Sequence, residues 1–192
     1  MSSRRLKLLD AAISLLGEHG VHGLTHRAVD ALAGVPAGSA ANYFRTRDAL
    51  MTAVVERFAA RERAAWDDIA ARLTPTSPQE LAVALAEFAK ESTGPNRSVT
   101  LARYAILVEA ANRPELRAQL GETGARVMVW AHNWMRAAGS PDPERDAPLV
   151  MNYWTGLVLH ELSNPDPRFD PLTPLTVLVT TLVPAIRQRR RS

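Results

Sequence analysis

Apolar positions recur at helical spacing along nearly the whole chain. Leu6, Leu9, Ile13 and Leu16, with Ala12 beside them, mark one face of a first helix. That helix is expected to stop over residues 17–20, with Gly20 as a left-handed cap. A second helix starts at Thr25, whose hydroxyl suits an orphan N–H of the first turn. Leu24 and Val29 flank that start with the spacing of a hydrophobic staple. Ala28, Val29 and Leu32 give it an apolar stripe, and Gly34 ends it. A short third helix is expected over residues 36–43. A long fourth one starts near Thr46 and Arg47 and carries Leu50, Val54, Phe58 and then Trp66 through Leu73.

The clearest internal break is the Thr-Pro-Thr-Ser-Pro run at residues 74–78. Beyond it the pattern predicts helices over 78–92, 99–112, 114–138, 143–163 and 173–190. Pro78 and Pro143 suit a first helical turn, where a missing N–H costs nothing. The proline-rich stretch at residues 164–171 reads as a stiff loop, and Pro184 should kink or end the last helix. No sustained alternation bounded by turn residues marks a strand. The expected fold class is all-α, with a three-helix head over residues 1–46 and a larger helical body over residues 47–192.

Composition narrows the picture. An apolar share of 46% is enough for a sizeable core and excludes a chain disordered throughout. Without cysteine there is no disulfide framework and no thiolate metal site. The first ten residues are polar and basic and run straight into the amphipathic pattern, and no apolar run is long enough to span a bilayer. A cytoplasmic protein with no membrane partner is therefore expected. The net charge of +3 says little about partners, because Arg187, Arg189, Arg190 and Arg191 in the tail supply all of it.

Local pattern says more. Between Thr25 and Phe44 two short helices meet at a tight turn, Gly34-Val35, with Val35 placed as an apolar wedge between them. The second of the two has no large apolar residue before Tyr43. Such a helix has little to bury and makes physical sense with its outer face in a DNA major groove, which admits an α-helix. The ordered set Thr25, Gly34-Val35, Gly38-Ser39, Tyr43-Phe44, Arg47 and Leu50 resembles the TetR family of transcriptional regulators over about the first 55 residues. The resemblance implies a homodimer, one reading helix per subunit, a palindromic double-stranded DNA operator, steric repression, and a body pocket in which a small-molecule effector controls DNA affinity. It implies no catalytic residue and no cofactor.

Site residues follow from chemistry and the resemblance together. Tyr43 and Arg47 are candidate phosphate contacts, which fix register without reading sequence. Thr25 offers its hydroxyl and the nearby helix N–H groups to a phosphate. Pro36, Ala37, Gly38, Ser39, Ala41 and Asn42 make up the reading surface, with Asn42 able to grip adenine in a bidentate way. Arg27 has the reach for a base edge or a phosphate. Ala37 stands where many relatives carry a basic residue and Ala41 where many carry an aromatic, so base reading leans on Asn42, Ser39, Arg27 and DNA shape.

In the body, Trp130 and Trp134 lie one helical turn apart and share a face. Tyr104, Tyr153 and Trp154 are candidates to converge with them, and Glu109, Asn133 and His160 are candidate polar groups of a ligand pocket. Ordinary core packing accounts for the same aromatic stripe equally well. The apolar residues of the last two helices, Leu149, Gly156, Leu157 and Val158 with Leu175, Leu178, Val179 and Leu182, are expected to build a four-helix dimer seam. The rival readings are a small all-α enzyme and a helical adaptor that does not bind DNA. For the former, His19, His22 and His26 are interrupted by Gly20 and Gly23 and do not share a helix face. Gly38-Ser39-Ala40 lacks the second glycine of a nucleophile elbow, and no Gly-rich phosphate loop is present.

Overall fold

The computed structural model describes residues 3–183, and among these every regular element is an α-helix. In chain order they are α1 (Ser3–Gly23), α2 (His26–Ala33), α3 (Ser39–Tyr43), α4 (Arg47–Arg72), α5 (Pro78–Thr93), α6 (Arg97–Ala111), α7 (Pro114–Ala137), α8 (Pro143–Ser163) and α9 (Leu172–Leu182). The expectations for Pro184 and the arginine tail fall outside the described residues. Among the described residues no helix is long and apolar enough to cross a membrane.

The chain divides into two compact units. The first takes in the chain up to Asp68 together with Gly94–Arg126. Its core is continuous: Leu9, Ile13 and Leu16 of α1, Val29 of α2, Ala40 of α3, Leu50 and Val54 of α4, Ile106 of α6 and Leu116 of α7 belong to one buried cluster. The expected head of residues 1–46 lies wholly within this unit.

The regular part of α1 breaks at Gly20, where the cap was expected: the backbone there is non-helical at φ 64°, and only a last short turn runs on to Gly23. Gly17 has a different reason to be there. A Cβ at that position would stand 2.0 Å from the Ser98 carbonyl oxygen, so α6 crosses α1 at a distance only glycine permits. Side chains tie α1 to α4 as well. The Arg57 guanidinium makes a bidentate pair with Asp10, at 2.9 and 3.0 Å.

The second unit takes in Ile69–Thr93 and, among the described residues, 127–183. Its core gathers Leu81 and Leu85 of α5, Trp134 and Met135 of α7, Val150, Trp154 and Val158 of α8 and Leu175 and Val179 of α9. Pro143 opens α8 as expected, behind Asp142, whose carboxylate accepts from the Arg145 N–H at 3.2 Å. The indole N–H of Trp154 donates to the Leu85 carbonyl at 2.9 Å, and Phe88 stacks on Trp134 with ring centroids 6.2 Å apart. Leu175, Val179 and Val158 therefore fill this unit's own core and are not free to face a partner.

Gly17→Ala is expected to lower stability by about 1–3 kcal/mol, the cost of overpacking. Gly121→Ala on α7, where a Cβ meets open space, is expected to be neutral or to stabilise by roughly 0.4–1 kcal/mol. Urea denaturation of the two variants side by side checks the pair.

Candidate nucleic-acid interface

The interface is built from α2, α3 and the start of α4. Thr25 caps α2 as its sequence position suggests, its side chain accepting from the Ala28 N–H at 3.2 Å. The hydroxyl proton stays available to donate outward. Leu24 and Val29 are both fully buried at this start. At the other end Gly34 adopts φ 59°, ψ 45°, its N–H donates to the Ala31 carbonyl and the Val35 N–H donates to the Asp30 carbonyl. These two bonds make a Schellman turn, which needs a left-handed residue where Gly34 stands.

The apolar stripe of α2 is rotated from the one expected. Val29, Asp30 and Ala33 are buried, whereas Leu32 is 50% exposed. At about 100° per residue, Ala33 and Asp30 lie to one side of Val29 and Leu32 to the other. The face that turns inward therefore includes a carboxylate. Asp30 is 3% exposed. One of its oxygens accepts from the Gly38 N–H at 2.8 Å and the other from the Ala40 N–H at 2.7 Å.

Those two bonds explain where α3 begins. Pro36 and Ala37 are not helical, in contrast to the expected span of residues 36–43, and Gly38 sits at φ 86° as the residue before the first turn. A backbone that turns through the left-handed region at Gly38 cannot carry a helix across it. The helix proper is five residues long, Ser39–Tyr43, and buries only Ala40. Phe44 follows as a core residue at 3% exposure, its ring covered by the Arg5 guanidinium at 5.5 Å. The Phe44 carbonyl lies 2.6 Å from His26 Nε2, so that ring nitrogen carries a proton and ties α2 to the end of α3.

The proposed DNA-contacting side chains stand outward. Thr25, Arg27, Pro36, Ala37, Gly38, Ala41, Asn42, Tyr43 and Arg47 are exposed, and Ser39 is half-buried with its hydroxyl donating to the Pro36 carbonyl at 2.5 Å. Arg47 already has a partner: Nη2 donates to the Val21 carbonyl at 2.7 Å. That bond holds its guanidinium against the end of α1 and leaves further N–H donors of the fork for a phosphate. Thr46 caps α4 from the preceding position, accepting from the Ala49 N–H at 3.0 Å.

The expected ligand-pocket residues fall in both units, Tyr104 and Glu109 in the first and the other six in the second. Tyr104 is half-buried, and burial pushes its phenol above the usual value, while Glu109 pairs with Arg113 at 3.5 Å. Asn133 is exposed and accepts from Arg136, and Tyr153 and His160 are exposed on α8. Trp130 is half-buried, and Trp154 is a core residue with its N–H spent on Leu85. Trp134 lines a crevice in the second unit, together with Leu81, Leu85, Met135, Val150 and Met151.

Asp30 is the residue that the sequence pattern did not single out. An acidic residue one position after the staple, on the face that must be buried, is the signal that would have found it. Asp30→Ala removes two charge-assisted bonds and strands two amides. It is expected to cost about 2–4 kcal/mol of stability and to weaken DNA binding by more than Asn42→Ala does. Urea denaturation and fluorescence anisotropy with duplex DNA check both halves.

Similarity to known proteins agrees with this geometry. The family described as "Bacterial regulatory proteins, tetR family" matches residues 8–54, and "Tetracyclin repressor-like, C-terminal domain" matches residues 76–185. No curated protein sequence matches the chain. Among solved structures, the multidrug binding protein EbrR in complex with ethidium is 28% identical, with a TM-score of 0.69 over 94% of this chain and 98% of that one. EbrR in complex with imidazole is 31% identical, with a TM-score of 0.65 over 98% and 99%. A TetR-family member from Streptomyces coelicolor A3 is 29% identical, with a TM-score of 0.67 over 95% and 99%. With the helix-turn-helix placed by Asp30 and both halves of the chain matched, the protein belongs to the TetR family and is a DNA-binding transcriptional regulator, not an enzyme.

Proposed function

We propose that the protein is a homodimeric repressor that binds a palindromic operator and is released by a small molecule. In this reading residues 1–46, joined by Arg47 at the start of the body, contact DNA, and the body over residues 47–192 dimerises and holds the effector. The observation that carries it is α3 itself: a five-residue helix that gives the core one alanine and turns Ala41, Asn42 and Tyr43 to solvent. A helix so exposed and yet so firmly clamped is built to meet something outside, and its size suits a major groove. Tyr43, Arg47 and Thr25 serve the phosphates, and Asn42, Ser39 and Arg27 serve the bases. Pro36, Ala37, Gly38 and Ala41 keep the approach low and let backbone come near the groove wall.

Two reading helices must stand about 34 Å apart to enter successive grooves on one face of the duplex. A dimer seam on α8 and α9 supplies that spacing. Leu149 and Tyr153 of α8 and Val177 of α9 are large, apolar and exposed, and the space above Gly156 is open. Leu157, Leu178 and Leu182 are half-buried and complete the expected seam. The effector works against DNA through a coupling free energy of about 1–3 kcal/mol. That EbrR has been seen with ethidium and with imidazole supports a ligand-responsive body here.

Selection of bound duplexes from a random pool tests the reading: a palindrome with half-sites one helical turn apart is expected, and no enriched sequence contradicts it. On the selected site, affinity should fall with salt at a log–log slope near −0.9 per phosphate neutralised. Arg47→Ala should make that slope shallower by about one and weaken all sequences alike. Asn42→Ala should instead relax preference at one base pair. Sedimentation at micromolar concentration should give a dimer, and a stable monomer would rule out the seam.

A further inference from the structure

We infer that Arg113, in the turn between α6 and α7, is a positioning residue for operator binding: it compensates the Asp48 carboxylate, which stands beside Arg47 in the first turn of α4. The inference rests on the phosphate contact proposed for Arg47 and adds a residue, outside the head, on which that contact depends. Arg113 Nη1 lies 3.2 Å from Asp48 Oδ1 and 3.5 Å from Glu109 Oε1, and Nε donates to Glu115 Oε1 at 3.0 Å. One guanidinium thus serves carboxylates of α4, α6 and α7, three negative charges against one positive. The Arg113 side chain is 20% exposed, whereas that of Asp48 is 76% exposed and open to whatever meets the start of α4. Leu50 of α4 and Leu116 of α7, both fully buried, belong to the same core of this unit.

The three pairs are unequal. Glu109 and Glu115 stand four and two positions from Arg113 in the chain and stay its neighbours when the turn shifts as a body. Asp48 is distant in sequence, and among the described residues Arg113 is the cation that pairs with it. A shift of the turn therefore leaves Arg113 with two partners and Asp48 with only the dipole of its own helix. The pair breaks at little cost to the arginine and uncovers a negative charge on α4.

That charge works against DNA. Neighbouring residues of one helical turn lie within roughly a Debye length of each other, about 8 Å at physiological salt. An uncompensated Asp48 therefore acts on the phosphate that Arg47 is placed to meet. It opposes the displacement of counterions from which phosphate binding draws its affinity. Pairs as exposed as this one contribute little to folding, so the effect falls on DNA binding more than on stability.

The test uses the full chain and the duplex selected from the random pool, with affinity read by fluorescence anisotropy over a range of salt concentrations. Arg113→Gln is expected to weaken binding about fivefold at low salt and to make the log–log salt slope shallower by up to about one. In the Asp48→Asn background the same substitution should change affinity less than about twofold, because the charge it compensates is gone. Asp48→Asn alone should bind at least as tightly as the native chain, and Arg113→Lys, which keeps the charge, should bind like it. An arginine that merely held the turn together would give equal losses in both backgrounds and leave the salt slope unchanged. That result, native affinity in Arg113→Gln, or weaker binding by Asp48→Asn would each overturn the inference. Urea midpoints near the native value report that the variants are folded. Should Arg113→Gln fail to fold, Asp48→Asn and Arg113→Lys decide the matter, and a loss of affinity in either counts against it. If Arg47→Ala weakens binding and the Arg113 variants do not, this inference alone fails; if no sequence-selective DNA binding exists, the proposed function fails with it.

Discussion

A five-residue helix that contributes one alanine to the core cannot hold its place by burial, and it is far shorter than a helix that persists alone. The position of α3 therefore rests on the carboxylate of Asp30. That group spans the turn from α2 and takes the N–H of Gly38 and of Ala40, one on each oxygen. Because Asp30 is itself fixed on a helix closed by a Schellman turn, α2, the turn and α3 form one rigid element. His26 closes the far end on the Phe44 carbonyl. The outward surface of α3 is thus set by polar bonds beneath it, which leaves its outer residues free of structural duty.

The same element is fastened to the rest of its unit by close contacts. Glycine at position 17 lets α6 lie directly on α1, and the Asp10–Arg57 pair fixes α1 to α4. Arg47 bridges the start of α4 to the end of α1 through the Val21 carbonyl. Interfaces packed this tightly shift between discrete arrangements and do not deform smoothly. A displacement of α4 or α6 would then move α2 and α3 with them.

How far the sequence could be read depended on the range of the interactions involved. The cap at Thr25, the staple of Leu24 and Val29 and the left-handed Gly34 are local devices, and each stands as its residue type implies. The start of α3 was not legible, because it depends on bonds from Asp30 to residues eight and ten positions on. The stripe through Leu32 failed for the same reason: the buried arc of α2 is turned toward the carboxylate that α3 needs. Gly17 belongs to the expected stop over residues 17–20 when only local cost is weighed; the break itself falls at Gly20, and Gly17 is a contact point once Ser98 is in view. In the body, the aromatic side chains are put to different uses that local pattern does not distinguish. Trp154 is spent on a carbonyl 69 residues away, and Tyr153 faces solvent. Trp134 does line a crevice, but beside aliphatic and methionine side chains, not beside the polar groups expected.

Amide hydrogen exchange at Gly38 and Ala40 tests the central claim most directly. If Asp30 holds α3, both amides exchange far more slowly than their place in a turn and a five-residue helix would allow, and Asp30→Ala, which removes both acceptor oxygens, abolishes that protection while the amides of α1 keep theirs. Exchange at the rate of an unprotected turn in the native protein, or protection that survives the substitution, would show that something other than this carboxylate fixes α3.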